Sequence, residues 1–360
     1  SGARIMAYTI IDDPSAYFQT KIYTGNGTNN TAITFDGNSD LQPDWLWIKN
    51  RSEADQSHAL FNSVRGATLR LTSNGYGGES TENTNLDSFD SDGFTVDNEL
   101  IVNGGSDLMV AWGWKTGTAF SNDASATSVG GIDSAGSVST DAGFGLITYT
   151  GTGSGATVAH GLGVTPTVIF YKRLSGDGSW VVQSTLFTNR NQLVLNGNDV
   201  FLNYSSLANI DNWSSSVFTL GTNADMNADG IPYLAYCFAN VKGYSKFSTY
   251  TGNGEADNGP FVYTGFKPAW LMVKRTDSAD QWMIVDNETN SFNEMTNVLR
   301  ANATNATESS PNSYAFDFLS NGFKLKDDDG KINANNGSYF YMAFAHNPFV
   351  TSTGVPTTAR

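Results

Sequence analysis

The sequence predicts an all-β chain made of three degenerate copies of one sandwich domain. Three observations carry that prediction: an internal repeat, many short apolar or aromatic runs separated by Gly, Asn and Ser turns, and a shortage of helix formers. Hydrophobic residues make up 39% and aromatics 12%, but charged residues only 15%. The polarity therefore comes from Gly, Asn, Ser, Thr and Asp, which favour turns and strands over helices. At 360 residues the chain has room for two or three cores.

The repeat has four blocks. The first is a Tyr-Thr-Gly turn at Tyr23-Thr24-Gly25-Asn26-Gly27, Tyr149-Thr150-Gly151-Thr152-Gly153 and Tyr250-Thr251-Gly252-Asn253-Gly254. Successive copies lie roughly 126 and 101 residues apart, too far for propeller blades, whose period is about 40. The second block is a proline, an apolar run and a closing lysine: Pro43 to Lys49, Pro166 to Lys172 and Pro268 to Lys274. Apolar residues occupy both parities of each run, so both faces of this strand are expected to be covered. Proline suits the strand entrance, where no ladder donor is needed.

The third block is Phe94-Thr95-Val96, Phe218-Thr219-Leu220 and Phe323-Lys324-Leu325. Gly93 and Gly322 precede it as hairpin residues, and the second copy departs with Ser216-Val217. The fourth aligns Val110-Ala111-Trp112-Gly113-Trp114 with Leu234-Ala235-Tyr236-Cys237-Phe238 and Met342-Ala343-Phe344-Ala345-His346. A further strand is expected around Leu60-Phe61, Trp180-Val181-Val182 and Trp282 to Val285.

These blocks divide the chain into an N-terminal arm (1–16), repeat 1 (17–115), a Ser/Gly-rich linker (116–142), repeat 2 (143–242), repeat 3 (243–348) and a C-terminal tail (349–360). Residues 1–5, ahead of Met6, are set aside as a cloning scar. The arm and tail read as extended segments, either frayed or docked on a neighbour. No apolar run approaches 18 residues, so no membrane-spanning helix is expected. A net charge of −15 argues against nucleic acid, whose binding needs clustered Lys and Arg. One cysteine, Cys237, excludes an intrachain disulfide framework.

Several segments resemble repeat-containing structural proteins of marine phages, including cyanophages. They are Ala7-Tyr8-Thr9 through Asp12-Asp13-Pro14-Ser15, "LQPDWLWIKNR" from Leu41, "SVRGAT" from Ser63, "SFDSDGF" from Ser88, "VAWGWK" from Val110 and "VTSTGVPTTAR" from Val350. The resemblance implies a concanavalin- or laminin-G-like jelly-roll sandwich in each copy. It also implies a virion location, as a tail fibre or capsid appendage that is homo-oligomeric and contacts other virion proteins. It brings no catalytic residues. On this reading the chain is not an enzyme, and host-surface attachment through a glycan is the expected binding role. A lectin-like module or polysaccharide depolymerase is the alternative.

Among candidate sites, Asp225-Met226-Asn227-Ala228-Asp229-Gly230 has the alternating oxygen ligands and turn glycine of a calcium loop, which makes Asp225, Asn227 and Asp229 the candidate Ca2+ ligands. The distal bidentate glutamate is missing, with Tyr236 in its place, and a polar turn explains the same letters. Gly151 to Gly155 resembles a phosphate loop but lacks the following helix. His58 and His346 are expected in aromatic core columns, His346 in that of Trp114 and Phe238, which leaves His160 as the free histidine. Cys237 is expected in the column of Gly113 and Ala345 as a buried core residue. No Glu-x-Asp-x-x-Glu or Gly-x-Ser-x-Gly pattern marks a hydrolase.

Overall fold

The computed structural model describes residues 7–309 and 314–357; residues 1–5, set aside above, and Met6 lie outside them. The chain is all-β, with three large sheets each faced by a smaller one. In the first lobe the large sheet runs, in spatial order, Phe18–Thr24, Leu108–Trp114, Trp45–Asn50, Ala59–Asn62, Gly66–Leu71 and Ser80–Thr81. The third runs Ser245–Thr251, Ser338–Pro348, Phe266–Arg275, Trp282–Asp286, Asn297–Arg300 and Glu308–Ser309. The second follows the same order through Phe144–Thr150, Pro232–Phe238, Val168–Arg173, Val181–Ser184, Asn191–Val194 and Leu202–Asn203.

The stretch expected as a linker, 116–142, is instead part of the second sheet. Thr118–Asn122 and Ser134–Ser139 pair with each other and extend the sheet outward from Phe144–Thr150. Small residues misled the composition argument here, because Ser and Gly also suit a strand that packs closely. Leu146 illustrates this, since its carbonyl oxygen lies where a Cβ on Gly136 would go.

Strand register corrects the fourth block. Trp45 faces Trp114, Val168 faces Phe238, and Trp270 faces Phe344. The third copy is thus displaced by two residues: Phe344, not His346, shares the column of Trp114 and Phe238. Cys237 accordingly aligns with Gly113 and Ala343, opposite Ile169, Leu46 and Leu271. A shift of two preserves side-chain parity, so periodicity alone does not detect it.

The Tyr-Thr-Gly turn has the same physical cause in each lobe. Tyr23, Tyr149 and Tyr250 donate their hydroxyls to the carbonyls of Val102, Met226 and Ile332. The next residues, Asn103, Asn227 and Asn333, accept the amides of Asn26, Thr152 and Asn253 through Oδ1. A Cβ on Gly25, Gly151 or Gly252 would collide with the carbonyl oxygen of Gly104, Ala228 or Ala334. Glycine is required there by close backbone approach.

Between the large and small sheets of the first lobe lies an apolar cluster including Leu46, Ile48, Phe61, Phe94 and Val96. In the third lobe Leu271, Val273, Phe316, Phe323 and Tyr341 do the same. The other face of each large sheet meets its counterparts from the other two lobes. Trp45 stacks on Trp114 with centroids 4.2 Å apart, Tyr236 lies 5.0 Å from Trp45, and Trp270 lies 5.7 Å from Trp114 at 90°. This shared aromatic hub is why the Pro-run-Lys strands are apolar on both parities.

The small sheet is three-stranded in the first and third lobes but two-stranded in the second. Gly93 and Gly322 open Gly93–Val96 and Gly322–Leu325 tight against a neighbouring strand, where a Cβ would strike the carbonyls of Ile33 and Val262. Val217 stands at that position in the second lobe, and the third strand is replaced by the short 3-10 turn Ile210–Asn212. The arm and tail dock on the third lobe: Tyr8 donates to the Gly265 carbonyl, and Asp12 accepts the Ser352 amide.

Trp270→Ala should cost about 3–5 kcal/mol, the range for truncating a large buried aromatic, and Gly25→Ala about 1–3 kcal/mol by overpacking. Urea midpoints measure both; a near-neutral Trp270→Ala would contradict the hub.

Candidate functional site

The deepest polar groups lie on the seams between lobes. Lys49, Lys172 and Lys274 close the three apolar runs, and all three are fully buried. Each reaches a different lobe: Lys49 donates to the Thr304 carbonyl, Lys172 to that of Tyr76 and Lys274 to that of Asn198. The first lobe thus grips the third, the third grips the second and the second grips the first. Such head-to-tail contacts make a ring when the rotation closes. Burial pushes all three amines down to about 8, and backbone carbonyls compensate the charge. Lys172 gains a second carbonyl from Gly178 and Lys49 gains that of Gln56.

A second position repeats the clasp. Trp180 Nε1 donates to Thr72 O and Trp282 Nε1 to Val194 O. In the first lobe His58 occupies this column and contacts the Arg300 carbonyl through Nε2 at 2.9 Å. Trp47 Nε1 donates to His58 Nδ1 at 2.7 Å. Indole N–H only donates, so Nδ1 is the acceptor and Nε2 carries the proton. Burial, then the Lys49 charge, holds the imidazole neutral, with its pKa pushed down to about 3.

Two of the three proposed calcium ligands, Asn227 and Asp225, have other tasks, and Asp229 lies beside Gly153 in the same turn. Asn227 is buried, and its Nδ2 donates to the carbonyls of Ser154 and Gly221 while Oδ1 holds Thr152. Asp225 Oδ1 accepts the Ser179 amide. Among the described residues no three His, Cys, Asp or Glu side chains gather as a metal cluster. The segment matches Leu100–Asn103 and Gly330–Asn333 of the other lobes, and an apolar residue followed by Asn was the legible signal. His160 is buried too: Nδ1 accepts the Leu162 amide and Nε2 faces the Ser214 carbonyl. Cys237 is buried, which drives its thiol pKa far up.

Among the surface clefts of the described residues, three bear on function. One of about 650 Å3 lies on the second lobe beside Arg190, Asn209 and Thr219, where the third strand is missing. Another, about 250 Å3, lies between the first and third lobes and holds Asp36, Glu288 and His346. Glu288 is raised by burial, then by Asp286 and Asp36, but Asp36 is committed to Lys21 at 2.7 Å. The last, about 260 Å3, lies where Tyr76 of the first lobe meets the second.

Fold and seams together define an all-β protein with three sandwich-like lobes closed into a ring. The chain belongs to the family described as domain of unknown function DUF7483, whose model matches residues 13–348. That span takes in all three lobes as one unit. No curated protein matches the chain.

Two outcomes follow from these assignments. Unfolded His58 takes a proton as pH falls through its ordinary 6.5, while the folded residue resists until about 3. Stability is therefore lost across that window, by at most about 1.4 kcal/mol per pH unit. His58→Gln, which keeps a donor and an acceptor, should show a shallower acid limb in melting curves; an identical limb would refute the neutral-histidine assignment. Asn227→Ala should lower stability by about 1–3 kcal/mol through unsatisfied buried backbone groups, and the unsubstituted chain should melt at the same temperature with and without chelator. A chelator-dependent drop would restore calcium.

Proposed function

We propose that this chain is a phage virion appendage: a non-enzymatic structural module of the capsid or tail surface, in which three copies of a concanavalin/laminin-G-like jelly roll form one rigid mount. The observation that carries this reading is the cyclic set of seams. Every buried lysine, and His58, is spent on a neighbouring lobe's backbone, which supports a role in assembly. The phage-like motifs of the first copy and the tail support the same reading.

A rigid mount leaves its loops and outer sheets free to differ, and surface loops on such scaffolds are where binding resides. The third lobe exposes three aromatic side chains, Phe292 84%, Tyr263 55% and Phe261 46% accessible. They suit contact with a second copy or another virion protein.

Immunogold labelling and mass spectrometry of purified particles test the proposal. The chain should be present in mature virions at multiple copies. Its absence from them would end this reading.

A further inference from the structure

We propose that the cleft where Tyr76 meets the second lobe is a saccharide-binding site selective for neutral or amino sugars. Its lining includes Tyr76, Gln192, Asp199, Tyr204, Asn223 and Asp225, around about 260 Å3. Tyr76 and Tyr204 are 58% and 45% exposed, whereas all eight tryptophans are buried. Two accessible aromatic faces on a strongly hydrophilic rim offer the stacking surface that the C–H face of a sugar ring needs.

The floor supplies a second, independent sign. Gln192 is only 3% exposed and lines the cleft, yet its Oε1 has no hydrogen-bond partner. A buried acceptor without a donor is costly, and a ligand hydroxyl entering from the cleft satisfies it. Asp225 is positioned beside it, with Oδ1 on the Ser179 amide at 3.1 Å and its own amide held by Asn223.

The first lobe closes the same place, and the third carries an ion pair one step along the same strands. Gln192 pairs with Leu202 in register as Arg70 pairs with Ser80 and Val298 with Glu308. In the first lobe Arg70 bonds to Glu82 at 2.9 Å and Asn85 at 3.1 Å. In the third, Arg300 bonds to Glu308 at 2.6 Å. The second lobe has a neutral amide where the first has an ion pair, and no ion pair bridges its edge strands among the described residues.

Chemistry sets the ligand class. The lining offers two carboxylates, two amides and no Lys or Arg. The nearby Lys172 is occupied by the carbonyls of Tyr76 and Gly178. Carboxylates accept from sugar hydroxyls or an ammonium and repel uronates and sulfates. The inference does not depend on the virion reading, because titration and particle labelling fail separately.

Isothermal titration of the full chain with chito-, chitosan- and malto-oligosaccharides, and with an oligogalacturonate as acidic control, tests it. At least one neutral or amino oligosaccharide should bind saturably at millimolar concentration or better, and the oligogalacturonate should not bind. Tyr76→Ala and Tyr204→Ala should each weaken binding about threefold to tenfold. Tyr76→Phe should retain it, and Gln192→Leu should weaken it without lowering the melting temperature. Both tyrosine side chains are exposed, so these variants keep the fold. No binding by any neutral or amino probe, or binding unchanged in Tyr76→Ala, Tyr204→Ala and Gln192→Leu, would overturn the proposal.

Discussion

Each large sheet has two apolar faces and only one small sheet to cover them. The uncovered face carries Trp45, Trp47, Trp112 and Trp114 in the first lobe, Phe170, Tyr236 and Phe238 in the second, and Trp270, Met272 and Phe344 in the third. Large aromatics bury about 150–250 Å2 each, at roughly 25 cal/mol per Å2, so leaving such a face in water is untenable. Three lobes meeting at one hub solve the problem. The hub is non-directional, however. Direction comes from the seams, where a buried ammonium tolerates only an arrangement that supplies carbonyl oxygens. Lys49, Lys172 and Lys274 thereby fix which lobe follows which.

Much of this was legible in the sequence, and the reasons differ by element. The Tyr-Thr-Gly turn repeats because a hydroxyl and a missing Cβ are both needed at one crossing. The Pro-run-Lys strand repeats because its lysine must be buried at a seam, although the sequence shows only the residue and not its distant carbonyl partner. The clip asparagines Asn103, Asn227 and Asn333 each follow an apolar residue, a pattern the four blocks did not include, and Asn227 sits inside an Asp-rich run whose letters suit calcium equally well. The two-residue slip at Phe344 preserved strand parity and so left no periodic trace. Residues 116–142 lack periodicity because their strands pack small against small.

Asymmetry among the lobes is concentrated in the second. It gains an outer hairpin at Thr118–Asn122 and Ser134–Ser139, loses the third strand of its small sheet, and lacks the edge ion pair of its neighbours. The hairpin and the lost strand fall away from the hub and the seam lysines, whereas the missing ion pair lies at the rim of the seam where Tyr76 meets the second lobe. A scaffold whose stability resides in those two features tolerates such divergence at one lobe's rim, where loops can acquire recognition without disturbing the core.

The central claim is that the lobes are energetically one body. Equilibrium denaturation followed in parallel by tryptophan fluorescence, which reports the hub, and far-UV circular dichroism, which reports all sheets, addresses it directly. A single transition with coincident midpoints is expected, because no lobe can leave without exposing the hub and stranding a buried lysine. Separate transitions, with one lobe melting while the tryptophan signal stays native, would contradict the account.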